Sequence, residues 1–192
     1  MKRPMLTLLF IVAAAFGMVL SSRTAVNSAT PSGPDSETQK RIAIGYKIAP
    51  VHLNLAGKDK ILVGLGSYIV NAQASCVDCH SCPTYAQGGN PFFGQPKQFN
   101  KDTYLSGGVP FGTLRSDNLT PDSGGLPAGL TLTQFIKLMR TGEDPDDSSE
   151  LLQVMPWPHY QDMSGYDLQS IYAYLTAIPS QPTGFNCTGA GQ

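Results

Sequence analysis

Three stretches of the chain repeat apolar side chains at the three-to-four-residue spacing of an amphipathic helix. In DKILVGLGSYIVNAQASC, residues Ile61, Leu62, Leu65, Ile69 and Ala72 fall on one face, and the period predicts a helix that runs directly into the cysteines behind it. Gly64 and Gly66 sit inside that helix against its propensity, which predicts that another helix comes close to the bare backbone there. In TLTQFIKLMRTG, residues Leu132, Phe135, Leu138 and Met139 share a face, Thr131 and Gln134 form a capping-box pattern, and Gly142 suits the position just past the last turn. In SGYDLQSIYAYLTAIP, Ser164 with Asp167 makes a second capping pattern, Leu168, Ile171, Tyr172 and Leu175 line one side, and Pro179 stops the helix.

The stretches between the helices carry a different message. From Pro83 to Gly129 the chain is rich in Gly, Pro, Asn and Asp and shows no sustained period. A loop that long is uncommon in a compact domain unless something besides its own backbone organises it, and a large buried cofactor would supply that core. At the start, Lys2 and Arg3 precede an apolar run from Met5 to Leu20. This is the pattern of a secretory signal, so residues 1–28 are read as a signal peptide, with an uncleaved membrane anchor as the alternative. Residues 29–37 have the small, polar composition of a flexible linker, and residues 38–192 are read as one folded domain.

Composition narrows the function classes. The 192 residues carry a formal net charge of −1 and are 14% charged, with 20 Gly and 15 Pro. No charge run reads as a nucleic-acid tail. Removing Lys2, Arg3 and Arg23 with the signal leaves 10 basic against 14 acidic residues, a mildly acidic surface that does not identify a partner.

The chemistry concentrates in CVDCHSC, residues 76–82, with one further cysteine, Cys187. A structural zinc site wants two spaced ligand pairs, and Cys187 stands alone. An iron-sulfur cluster would use C-x2-C-x2-C with Cys187 as a distant fourth ligand, but the usual fourth cysteine of the run is missing and no twin-arginine signal precedes it. A thioredoxin-like pair needs a strand before the motif, where the period is helical. The c-type haem pattern C-x-x-C-H takes Cys76, Cys79 and His80: on a helical turn, positions i, i+3 and i+4 lie on one face, so two thiols and an imidazole converge on one edge of a flat ring. Export favours this reading. A second axial ligand has to come from elsewhere, and MPWPHYQDMSGYDL offers Met155, His159 and Met163, with Met139 and His52 more remote. Met155 is the choice, because the prolines after it hold the chain out of helix and let its side chain reach inward. Met163, next to the cap of the last helix, is read as core filler or a staple.

At these residues the chain resembles a single-haem, class I-type cytochrome c. It is most similar to the cytochrome c domains associated with periplasmic alcohol and gluconate dehydrogenases. The likeness runs from about Gly64 to Ile178 through GSYIVNAQASCVDCH, GGNPFFGQ, PFGTLRSDNLTPD, LTQFIKLMRTG and MPWPHYQDMSGYDLQSIYAYL. It implies an all-α cytochrome c fold, three or more helices wrapped around one covalently attached haem, with long irregular loops. It further implies thioethers at Cys76 and Cys79, His80 as proximal and Met155 as distal ligand, and a crossing of the Gly64–Gly66–Tyr68 helix with the last helix near Tyr172, Tyr174 and Leu175. Pro91 is the expected carbonyl partner for the free imidazole nitrogen. Arg115, Asn118, Trp157 and Tyr160 are candidates for the haem propionates.

Two cysteines depart from the family pattern. In an oxidising periplasm Cys82 and Cys187 are most simply a disulfide, with two free thiols as the alternative. The function implied is periplasmic electron transfer by an iron without an open position, from a dehydrogenase or other donor toward a respiratory acceptor, with no substrate chemistry of its own. The rival is a haem enzyme or ligand sensor with an open or weakly held distal position. Redox proteins, a dehydrogenase donor and an oxidase or other cytochrome acceptor, are the expected partners, not nucleic acid, with membrane association possible through the N-terminal apolar segment.

Overall fold

The computed structural model describes residues 34–184; the expected signal peptide and Cys187 lie outside the described residues. Five helices carry the fold: α1 (Ser36–Ile48), α2 (Lys60–Tyr68), α3 (Cys76–His80), α4 (Leu132–Thr141) and α5 (Gly165–Leu175). Strand is confined to a two-residue antiparallel ribbon, β1 (Pro110–Phe111) and β2 (Leu114–Arg115), in which Pro110 faces Arg115. The mostly helical architecture is compatible with the expected class.

Helix α1 has no counterpart among the predicted elements. It begins inside the stretch read as a linker, where the Asp35 carboxylate accepts from the Thr38 backbone N–H and caps the first turn. Its one buried residue is Gly45, so its apolar period is faint.

Helices α1 and α5 grip α2 from two sides, and glycine makes both contacts. A methyl group on Gly45 would overlap the Gly64 carbonyl, and one on Gly64 would meet Ile42 and Tyr46. A methyl on Gly66 would overlap the Ser170 carbonyl and crowd Tyr174. The expected crossing with α5 therefore belongs to Gly66, whereas Gly64 serves α1. This double grip also corrects the predicted face of α2. Val63, Leu65, Ser67, Ile69 and Val70 are buried while Ile61 is 38% exposed, because a helix covered on two sides buries more than one stripe.

The other two predicted helices form as read. Thr131 and Gln134 close a reciprocal capping box on α4, and Gly142 follows it in the left-handed conformation at φ 68°. Phe135 and Met139 point into the core. The Ser164 hydroxyl accepts from the Asp167 N–H at the start of α5. That helix ends at Leu175, one turn ahead of Pro179.

The long stretch after the cysteines is held by three devices of its own. Tyr85 and Phe99 pair as an isolated bridge, as do Pro121 and Pro127. Tyr104 and Leu105 plug into the core at 1% and 0% exposure. The Asn118 side-chain amide reaches the Gln181 carbonyl at 2.8 Å, tying the loop to the segment beyond α5.

Candidate functional site

The helix before the cysteines does not run straight into them. After Tyr68 the ladder widens into a π-helical turn, Ile69–Gln73, closed by Ala74 N–H to the Ile69 carbonyl at 2.8 Å. Ser75 then takes a left-handed backbone, φ 51°. Together they re-aim the chain so that α3 starts at Cys76. A buried polar network fixes this turn. The Asn71 amide donates to the Ser67 carbonyl at 2.9 Å, Ser67 Oγ donates to the Gly45 carbonyl at 2.7 Å, and the Tyr104 hydroxyl donates to Asn71 Oδ1 at 2.5 Å. The Tyr174 hydroxyl lies 2.8 Å from that of Tyr104. No buried side-chain nitrogen or oxygen among the described residues is left without a partner, so the network is satisfied and rigid.

Helix α3 holds Cys76, Cys79 and His80 on one turn and a half. Both thiols are free and half-buried. Burial pushes the Cys76 thiol up to about 12 and raises Cys79 as well, with the Asp78 carboxylate adding to both. These are protonated thiols at neutral pH and not thiolates poised for attack. Among the described residues no group of three or more His, Cys, Asp or Glu is arranged to hold a metal ion directly.

His80 is 9% exposed. Its Nδ1 lies 2.7 Å from the Asp117 backbone carbonyl; a carbonyl only accepts, so Nδ1 carries the hydrogen and Nε2 keeps a free lone pair. Burial lowers the pKa of the imidazole against the opposing pull of Asp117, which keeps the ring neutral and ready to ligate. Asp117 thus takes the role expected of Pro91, which is exposed at the start of a 3-10 turn, Pro91–Phe93. Gly107 makes the arrangement possible. Its N–H donates to the His80 carbonyl at 2.8 Å, and at φ 71° a side chain there would press on the Asp117 carbonyl. The paired glycines of SGGVPFG were the signal in the sequence, but which carbonyl they admit depends on the fold.

Met155 lies between α4 and α5, half-buried and packed against the hydrophobic core, as are Cys76 and Met163. Three other rivals are placed differently: His159 and His52 are exposed, and Met139 is core at 3% exposure. The four propionate candidates each donate to a backbone carbonyl: Arg115 to Gly108, Asn118 to Gln181, Trp157 to Leu152 and Tyr160 to Ala74. Cys82 is engaged. Beside it runs the end of the described chain, where a methyl on Gly184 would stand 3.7 Å from the Cys82 carbonyl oxygen.

Comparison of the sequence with known proteins finds cytochrome c-type subunits at modest identity. The chain is 34% identical over 114 residues to the gluconate 2-dehydrogenase cytochrome c subunit of Pantoea cypripedii, covering 59% of this chain and 22% of that one. It is 29% identical over 117 residues to the cytochrome c subunit of the quinone alcohol dehydrogenase of Gluconobacter oxydans (strain 621H), covering 61% and 21%. It is 30% identical over 106 residues to the fructose dehydrogenase cytochrome subunit of Gluconobacter japonicus, covering 53% and 19%. The chain spans about a fifth of the length of these curated relatives. No family model and no solved structure matches it. The resemblance to cytochrome c-type subunits, first seen in CVDCH, extends through about 60% of the sequence.

Proposed function

We propose that this chain is a c-type cytochrome that carries single electrons in the periplasm from a dehydrogenase toward a respiratory acceptor. One haem would be held by thioethers at Cys76 and Cys79, with His80 and Met155 as axial ligands. The observation that carries this reading is the state of α3: two free protonated thiols and a neutral imidazole share one turn, and the Asp117 carbonyl fixes the ring with its Nε2 lone pair unspent. These residues fit a covalent haem. Bound there, the iron supplies one-electron chemistry and, with both axial positions filled, no substrate site.

The chain's own residues do the rest. Asp117 orients the proximal imidazole and strengthens its basicity. The satisfied network of Ser67, Asn71, Tyr104 and Tyr174 holds the attachment helix rigid, which keeps reorganisation small when the charge changes. We further propose a disulfide between Cys82 and Cys187, supported by the engagement of Cys82 and the approach of Gly184 to it. Closing a loop of that size contributes about 4 kcal/mol in the chain-entropy model.

The test is mass and visible spectrum on protein matured with haem. The expected result is one added haem that survives denaturation, and in the oxidised form the weak far-red sulfur-to-iron band. Met155→Ala keeps the covalent haem, loses that band and gains cyanide binding, while His159→Ala changes none of these. Protein without covalent haem would overturn the reading, and opening of the iron by the histidine change alone would reassign the distal ligand.

A further inference from the structure

The segment between Gly142 and Ser164 carries the proposed distal ligand without a long helix to hold it. Its upstream half is fastened to the end of α4, where Leu152 N–H donates to the Gly142 carbonyl at 2.8 Å. Trp157 fastens the downstream half. Its indole lies flat on Gly142, where even a methyl group would overlap the ring, and its Nε1 donates to the Leu152 carbonyl at 3.2 Å. Arg140 of α4 adds a hydrogen bond to the Gln161 carbonyl. Met155 sits inside this clasp, its own carbonyl accepting from Trp157 N–H at 2.8 Å.

Those contacts either stay within the segment or run to α4 and its end. Among the hydrogen bonds of the described residues, one ties this segment to the cysteine side: the Tyr160 hydroxyl donates to the Ala74 carbonyl at 2.9 Å. Ala74 ends the π-helical turn two residues before Cys76, and a carbonyl at a helix end has no intrahelical partner. Tyr160 supplies one. Burial raises this phenol above its ordinary value of 10.0, so it is protonated and able to donate at physiological pH.

We propose that Tyr160 is a positioning residue for the distal ligand: through the Ala74 carbonyl it latches the Met155 segment to the haem-attachment helix and so sets how firmly Met155 holds the iron. This rests on the haem reading above. The latch joins the two halves of the coordination sphere, proximal through α3 and distal through Trp157 and Met155, and its loss lets them separate without unfolding either.

The experiment compares haem-loaded wild type with Tyr160→Phe and, as control, Tyr172→Phe. Tyr172 also donates its hydroxyl to a backbone carbonyl, that of Leu130 at 2.9 Å, away from the Met155 segment. The readouts are the far-red band, the affinity for added imidazole and the thermal midpoint. Tyr160→Phe is expected to bind imidazole about 2- to 10-fold more tightly, the equilibrium equivalent of one ordinary hydrogen bond, with a weakened band. Tyr172→Phe lowers the midpoint comparably and leaves imidazole affinity unchanged. Trp157→Phe, which keeps a ring on Gly142 but loses the bond to Leu152, shifts affinity in the same direction. Equal affinities in wild type, Tyr160→Phe and Trp157→Phe overturn the proposal, as does an equal shift in Tyr172→Phe. A wild type without the band fails the ligand assignment instead, before any variant is compared.

Discussion

The α1–α2–α5 packing and the Met155 segment are held by opposite means. Around α2 the helices touch through glycine: Gly45 and Gly66 each lie against a backbone carbonyl, and Gly64 is covered by the Ile42 and Tyr46 side chains. Around Met155 they are long side chains reaching isolated carbonyls, Trp157 to Leu152 and Tyr160 to Ala74. Close-packed helices have one solution, because a methyl added at Gly45 or Gly66 meets a peptide group that cannot turn aside. A clasp of side-chain hydrogen bonds has graded solutions, since each bond is worth only about 1 kcal/mol net. The scaffold that presents α3 is thus rigid, and the segment carrying the proposed distal ligand is adjustable.

The comparison is broken most directly at Gly66. Gly66→Ala drives a methyl into the Ser170 carbonyl and is expected to cost about 3 kcal/mol, the upper end of overpacking, read as a lowered urea midpoint. A loss under about 1 kcal/mol would show that α2 and α5 slide freely and that the scaffold is not the rigid half.

An intermediate effect is expected at Tyr104, which links scaffold to site. Tyr104→Phe leaves Asn71 Oδ1 without its donor and should cost about 1–3 kcal/mol. The same residue gives an alkaline signature. Burial, with Tyr174 beside it, holds Tyr104 well above the ordinary tyrosine value of 10.0, and burial raises Tyr174 too. Unfolded tyrosines release protons near pH 10 while these two keep theirs, so above that pH the unfolded state binds fewer protons and stability falls as pH rises. Their contribution is complete below pH 10. Denaturant titrations at pH 7 and above pH 10 should show a shallower alkaline decline in Tyr104→Phe.

The smallest effect belongs to the exposed rim of the distal segment. Lys137 and Glu143 form an ion pair with side chains 58% and 31% exposed, and Glu143→Gln is expected to change stability by less than about 0.5 kcal/mol. A change above 1 kcal/mol would mean that this rim, and not the Trp157 and Tyr160 contacts, fastens the segment.

What was legible in advance follows the same division. Helices α4 and α5 announced themselves because period and caps are local: Thr131 with Gln134 and Ser164 with Asp167 act within one turn. That Cys76, Cys79 and His80, the proposed attachment residues, share one short helix was legible for the same reason, as three positions on one helical face. Helix α1 was not, because its buried contact is a glycine, which leaves no mark in an apolar pattern. The sequence alone therefore determined where α4 and α5 start and stop and which turn bears the thiols and imidazole. Only the tertiary structure decided that Gly64 faces α1 while Gly66 faces α5, that Asp117 and not Pro91 holds His80, and that Tyr160 spends its hydroxyl on Ala74. The partners of Gly66, His80 and Tyr160 are backbone carbonyls, a group every residue carries, so side-chain identity cannot say which one will be chosen. Only the path of the chain can.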